Sequence, residues 1–137
     1  MIVYLTRKEK FCAAHRLWVK EWSEDTNVEV FGNCANTNFH GHNYELSVTV
    51  KGTPDPLTGM IINAKDLGKL MREQITNVLD HTNLNLDPSF LSPEIQTTTE
   101  NLVVQIWNQI EKHLTDCKLH CVKLVETEKI SAEYYGE

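Results

Sequence analysis

From residue 42 to residue 51 the chain alternates without a break. Tyr44, Leu46, Val48 and Val50 fall on one side, and Glu45, Ser47, Thr49 and Lys51 on the other. A period of two with one polar face marks a half-buried antiparallel strand. Residues 2–16 read as an earlier strand, without Pro or Gly, in which Phe11, Ala13 and His15 share a face. The period then lengthens. Leu67, Leu70, Met71, Ile75, Val78 and Leu79 form a stripe that predicts a helix over 64–79, with Asn63 as N-cap and Asp66 in the first turn. A second helix, from about Thr98 to Leu114, carries Leu102, Val103, Ile106, Trp107 and Ile110, and Thr97 and Glu100 have capping-box spacing ahead of it. Residues 119–126 and 129–135 read as a closing hairpin. Two Pro-containing stretches, GTPDPLTG (52–59) and DPSFLSPE (87–94), punctuate the chain. Residues 17–39 have no clean period and read as a long irregular excursion, which inside a compact domain is usually functional.

The order β-β-α-α-β-β predicts an α+β fold: a four-stranded antiparallel sheet with two helices on its apolar face and a polar opposite face. Its edges would be unpaired, and pairing between subunits would remove that liability. At 137 residues the chain suits a single domain over 1–137. A net charge of −6 argues against nonspecific nucleic-acid binding, though not against a small anion in a local pocket. No apolar run approaches the ~18 residues of a membrane span, and the N-terminus MIVYLTRKEKF lacks a signal-peptide pattern. A cytoplasmic protein with its four cysteines as thiols is therefore expected. Cys117 and Cys121 read as half-buried thiols near a strand start.

The sharpest chemical signal is CANTNFHGH, residues 34–42. His40 and His42 would project from one face of a strand with their backbones ~7 Å apart. Two imidazoles so placed suit one tetrahedral zinc, with Zn–N distances of ~2 Å. A third ligand must come from elsewhere. His15 at the end of the first strand is favoured if the register allows, with His113 and His120 as competitors that read as surface residues. Three histidines leave a fourth position open, the mark of a catalytic zinc. Neither a His-Glu-x-x-His motif nor a Cys-x-x-Cys pair is present, so protease, finger and deaminase patterns do not apply.

Cys34 lies six residues before His40. A nearby dication would lower its pKa from ~8.5 and make it a base or nucleophile; otherwise it is a buried thiol. Asp80-His81 follows the first helix, either as a helix-end histidine or as a pair that tunes a base. Glu126 continues the row of Val122 and Leu124, so its carboxylate needs a cation or a ligand unless the strand end is frayed. The planar N–H/NH₂ edge of a 2-amino-pyrimidinone could donate two parallel hydrogen bonds to it.

Together the stretches FCAAHRL (11–17), FGNCANTNFHGHNYEL (31–46), DPLTGMIINAKDL (55–67), LDHTNLNLD (79–87), TTTENLVVQIW (97–107) and ETEKISAEYYGE (126–137) resemble the 6-pyruvoyl tetrahydropterin synthase family. The resemblance implies the tunnelling fold, in which subunit sheets join into a barrel, and a homohexamer of two trimers with sites between subunits. It implies His15, His40 and His42 as zinc ligands, Cys34 as catalytic base with Asp80 and His81 assisting, and Glu126 as anchor of the pterin, with Thr98 and Thr99 beside it. The implied reaction converts 7,8-dihydroneopterin triphosphate to 6-pyruvoyl-tetrahydropterin with loss of triphosphate, in tetrahydrobiopterin synthesis. The absence of a Gly-rich dinucleotide motif agrees with internal redox chemistry. The triphosphate calls for a local basic patch, with Arg7, Arg16, Lys20 or a neighbouring subunit's lysines as candidates and Mg²⁺ assisting. Cys12 departs from the family, which often has Ser there. The related 6-carboxytetrahydropterin synthases typically have a shorter gap between the Cys and His-Gly-His; five residues separate Cys34 from His40 here. A non-catalytic, zinc-stabilised binding module is the rival from another class.

Overall fold

The computed structural model describes residues 1–137 throughout. Strand β1 (Val3–His15) pairs antiparallel with β2 (His40–Gly52) over its whole length, from Val3 opposite Gly52 to His15 opposite His40. On its other side β2 pairs antiparallel with β4 (Lys118–Thr127), and β4 with β5 (Ile130–Tyr134), the expected hairpin. The sheet is mixed rather than purely antiparallel, and five-stranded rather than four-stranded. Two residues, β3 (Thr82–Asn83), run parallel to the end of β1, giving the order β3-β1-β2-β4-β5. The cause lies in the backbone just after the first long helix. There the His81 N–H donates to Cys12 O at 2.7 Å and the Leu84 N–H to Ala14 O at 2.8 Å, holding 81–84 against the edge of β1.

The structure has three helices where periodicity predicts two. The extra one, α1 (Glu24–Phe31), lies within the excursion and runs into a 3-10 turn (Gly32–Ala35). It buries only Asn27, so it has no apolar stripe to detect. Its local signals are a cap and charge: Ser23 accepts from the Thr26 N–H, and Glu24 and Asp25 occupy the positive end of the helix dipole. Asn27 binds the excursion together by accepting from the Val19 N–H at 2.8 Å and donating to Val19 O at 3.0 Å.

Helix α2 spans 64–79, capped by Asn63, which accepts from the Lys65 N–H. Its centre is a π turn (Arg72–Thr76). Leu67, Met71, Ile75 and Leu79 are all buried at four-residue steps. In an α-helix each such step drifts by ~40° around the axis. The wider π turn rotates the row back and keeps Leu79 facing the sheet. Helix α3 (Thr99–Glu111) buries Leu102, Val103, Ile106, Trp107 and Ile110. Both helices pack on the sheet face formed by Phe11, Tyr44, Leu46, Val48, Val50, Val122 and Leu124, which with them forms one core cluster. The opposite face is polar; there the Thr6 and Thr49 hydroxyls meet at 2.7 Å. All four cysteines are free, and no helix is long and apolar enough to cross a membrane.

Candidate active site

The β1–β2 register builds the centre of the site. It sets His15 opposite His40, Ala13 opposite His42 and Phe11 opposite Tyr44, so the three histidines leave the sheet on its inner face. Ring centroids lie 4.5 Å apart for His15–His40, 5.1 Å for His15–His42 and 4.8 Å for His40–His42. One nitrogen of each ring lies within 4.8 Å of the other two, so the cluster could hold a metal ion. Gly41 lets β1 and β2 lie close, because a Cβ there would sit 3.1 Å from Ala13 O. His113 and His120 are not part of the cluster. His113 packs back on Gln109 O at the end of α3, and His120 packs between Tyr4 and Tyr135.

The donor set fits a cation. His15 is 1% exposed, and its Nδ1 lies 2.8 Å from Thr97 O. A carbonyl only accepts, so Nδ1 carries the proton and the Nε2 lone pair faces the other rings. Buried nitrogens without a protein partner are His15 Nε2, both nitrogens of His40 and His42 Nε2. Burial, then the neighbouring imidazoles, holds His15 and His40 below the ordinary imidazole range, although the Thr97 carbonyl pulls His15 the other way. Neutral imidazoles are the ligand form.

Glu126 ends the inward row of β4, with its side chain 12% exposed. Its Oε2 accepts from Thr99 Oγ1 at 2.7 Å, while Oε1 stands 3.5 Å from His42 Nε2 without hydrogen-bond alignment. No Lys or Arg pairs with it. Thr98 does not share this contact; it is the N-cap of α3 and accepts from the Asn101 N–H at 3.3 Å. The cap is thus one residue later than the Thr97–Glu100 spacing predicts, because the Thr97 carbonyl is committed to His15.

Cys34 sits in the 3-10 turn, with its carbonyl accepting from the Leu17 N–H at 2.8 Å. Burial, then the Glu126 carboxylate, pushes its thiol up. The groups around Cys34 within the chain therefore oppose the thiolate, and a cation on the histidines would favour it.

Asp80 and His81 form a pair, but within one chain they meet Cys12 rather than Cys34. His81 Nδ1 lies 2.7 Å from Asp80 Oδ2 and 3.7 Å from Cys12 Sγ, and the Cys12 N–H donates to Asp80 Oδ1 at 2.8 Å. Cys12 alternates with Phe11 and Ala13, so its side chain leaves β1 on the face away from the imidazole cluster. The Cys12 N–H and His81 hold the Asp80 carboxyl below its usual range. His81 itself adopts φ 58°, a left-handed backbone uncommon outside glycine. Among the basic candidates, Arg7 pairs with Glu9 at 3.0 Å and lies eight residues along β1 from His15, ~26 Å away. Arg16 stacks on Trp18 at 3.9 Å and lines a pocket together with Lys20.

Tyr44 is a feature that periodicity misses. It belongs to the apolar row, is fully buried, and stacks on Phe11 at 4.8 Å, yet its hydroxyl has no partner. Its ring also lies 5.6 Å from that of His42.

A family model described as 6-pyruvoyl tetrahydropterin synthase matches residues 4–137. A human relative named 6-pyruvoyl tetrahydrobiopterin synthase is 44% identical over 133 residues, covering 97% of this chain and 91% of its own length. A Pongo abelii protein of the same name matches at the same identity and coverage. The solved structure of Caenorhabditis elegans 6-pyruvoyl tetrahydropterin synthase superposes with a TM-score of 0.91 at 34% identity, covering 100% of this chain and 97% of that one. With a family match over nearly its whole length and relatives well above the level at which a fold alone is shared, the chain belongs to the 6-pyruvoyl tetrahydropterin synthase family of enzymes.

Proposed function

We propose that this protein is a zinc-dependent lyase that converts 7,8-dihydroneopterin triphosphate to 6-pyruvoyl-tetrahydropterin and triphosphate. The observation that carries this reading is the buried cluster of His15, His40 and His42, with imidazole nitrogens that have no protein partner, beside a carboxylate with one oxygen uncommitted. Zinc held there would act as a Lewis acid on the side-chain hydroxyls of the substrate and acidify the adjacent protons.

The remaining work falls to the chain's own residues. Glu126, its Oε2 fixed by Thr99, offers its carboxylate edge to the N–H/NH₂ edge of the pterin and so aims the side chain at the histidines. Cys34 removes a carbon-bound proton as general base. Asp80 stays ionised, orients His81 and stabilises its charge while His81 relays protons. Mg²⁺ would offset the charge of the triphosphate.

The Asp80–His81 pair lies apart from Cys34 in one chain, which favours an assembled site in which one subunit supplies the pair and another the thiol. A cytoplasmic homohexamer of two trimers with the sheets joined into a barrel fits this need. It also fits the edges of the sheet: β5 has no outer neighbour, and only the end of β1 is covered by the two residues of β3.

The test is to incubate zinc-loaded protein with dihydroneopterin triphosphate and Mg²⁺ and to identify the product. 6-Pyruvoyl-tetrahydropterin with released triphosphate is expected. A 6-carboxy product with acetaldehyde would instead make the protein a 6-carboxytetrahydropterin synthase, against the five-residue gap between Cys34 and His40.

A further inference from the structure

A second set of ligating atoms lies outside the imidazole cluster. Cys12 Sγ, one Asp80 carboxylate oxygen and His81 Nδ1 all fall within 4.8 Å of one another. We propose that Cys12, Asp80 and His81 bind a thiophilic divalent cation, zinc or cadmium, and that its binding stops turnover by tying up His81. The second half rests on the proton-relay role proposed above; the binding itself does not.

The geometry is close to what such an ion needs. Bonds of ~2.3 Å to sulfur and ~2.0 Å to nitrogen at a tetrahedral angle set S and N about 3.5 Å apart. Cys12 Sγ and His81 Nδ1 are 3.7 Å apart. Asp80 Oδ2, 2.7 Å from Nδ1, has only to turn outward to become the third ligand, while Oδ1 stays on the Cys12 N–H. The frame beneath is held by backbone. The His81 N–H donates to Cys12 O at 2.7 Å, and the next residue pairs with Ala13. Side-chain reorganisation is therefore small.

Within one chain the site is also open and free of basic side chains. The His81 side chain is 81% exposed and that of Asp80 40%. The surrounding concavity is lined by Ala13, Ala14, Gly41, His42, Asn43 and Thr82, with no Lys or Arg. A thiol is the decisive member, because a hydroxyl at this position would be a poor ligand for a soft metal. On binding, the Cys12 thiol gives one proton to solvent. The His81 proton moves from Nδ1 to Nε2, and the freed Nδ1 lone pair takes the metal. The ring that would carry protons is then fixed, so excess zinc should inhibit an enzyme that zinc also activates.

The test is a Cd²⁺ titration of protein whose imidazole cluster is already loaded with zinc, read by thiolate-to-metal charge-transfer absorption. One further equivalent with a thiolate band is expected in the wild-type protein and in Cys34→Ser, and none in Cys12→Ser. No band in the wild-type protein, or a band that survives Cys12→Ser, overturns the site. Turnover is followed in parallel. Excess Zn²⁺ should inhibit the wild-type enzyme at least tenfold and leave Cys12→Ser at its zinc-replete rate. A Cys12-dependent band with undiminished turnover upholds the binding site, overturns the inhibition, and traces that failure to the role of His81.

Discussion

Thr99 Oγ1 donates a 2.7 Å hydrogen bond to Glu126 Oε2 and so ties the first turn of α3 to the end of β4. The bond occupies one carboxylate oxygen and leaves the other facing His42. In Glu126→Gln the amide oxygen can still accept from Thr99, so the fold should survive, whereas the charge offered to the pterin is lost. A hydrogen bond to a charged group contributes about 1.5–3 kcal/mol, which translates into a KM increase of about 10- to 150-fold. Steady-state kinetics on the purified variant measure it. An unchanged KM would remove Glu126 from ring binding.

Cys34→Ala should reduce kcat by about 10²- to 10⁴-fold, the usual worth of a positioned general base. Zinc content and thermal stability should stay near wild type, since the thiol makes no hydrogen bond within the chain and ligation falls to the histidines. Loss of the metal along with turnover would recast Cys34 as a ligand. Near-normal turnover would leave the reaction without its assigned base.

The strand pattern and the histidine cluster are legible in the sequence because both follow from alternation. Once β1 and β2 each keep an inward face, a single register brings His15 to His40 and His42. Helix α1 was not legible, because it packs through a hydrogen-bonded Asn27 rather than an apolar stripe; only Ser23 and the two acidic residues after it mark its start. The π turn at 72–76 is hidden in the same way, since a row at every fourth residue resembles an ordinary helix. The partnership of Asp80 and His81 with Cys12 depends on two parallel residues, too few for any period. Thr97 and Thr98 differ in role only through which neighbour claims the Thr97 carbonyl.

Tyr44→Phe isolates the unpartnered hydroxyl. The substitution keeps the ring that stacks on Phe11 at 4.8 Å and removes a buried donor with no acceptor within the chain. Burying a polar group without a partner costs about 1–3 kcal/mol, so the variant should be at least as stable as wild type and gain about 1 kcal/mol. Urea unfolding of the metal-free protein reads this directly. A loss of similar size would mean that an ordered water or another group satisfies the hydroxyl.

Acid should act on the imidazole cluster before it acts on Asp80. His15 and His40 are held below the ordinary imidazole value of about 6.5 by burial, then by their neighbours, with the Thr97 carbonyl opposing this at His15. A depressed folded-state pKa means that between that value and the unfolded one the unfolded chain binds more protons. The stability linked to these groups is therefore fully present above about pH 6.5 and is lost as pH falls through the depressed folded-state values, at up to about 1.4 kcal/mol per pH unit for each group. Asp80 is depressed too, from a lower starting point, so its contribution disappears only below about pH 4. In chelator-treated protein the urea midpoint should decline between pH 7 and pH 5. In zinc-loaded protein the midpoint should be higher at pH 7 and the decline, starting from the same unfolded-state value, should continue to lower pH, because the cation competes with protons for the same lone pairs. His40→Gln should flatten the metal-free slope by removing one of the two groups. Equal midpoints at pH 7 and pH 5 in metal-free wild-type protein would show that the cluster is not held neutral by burial.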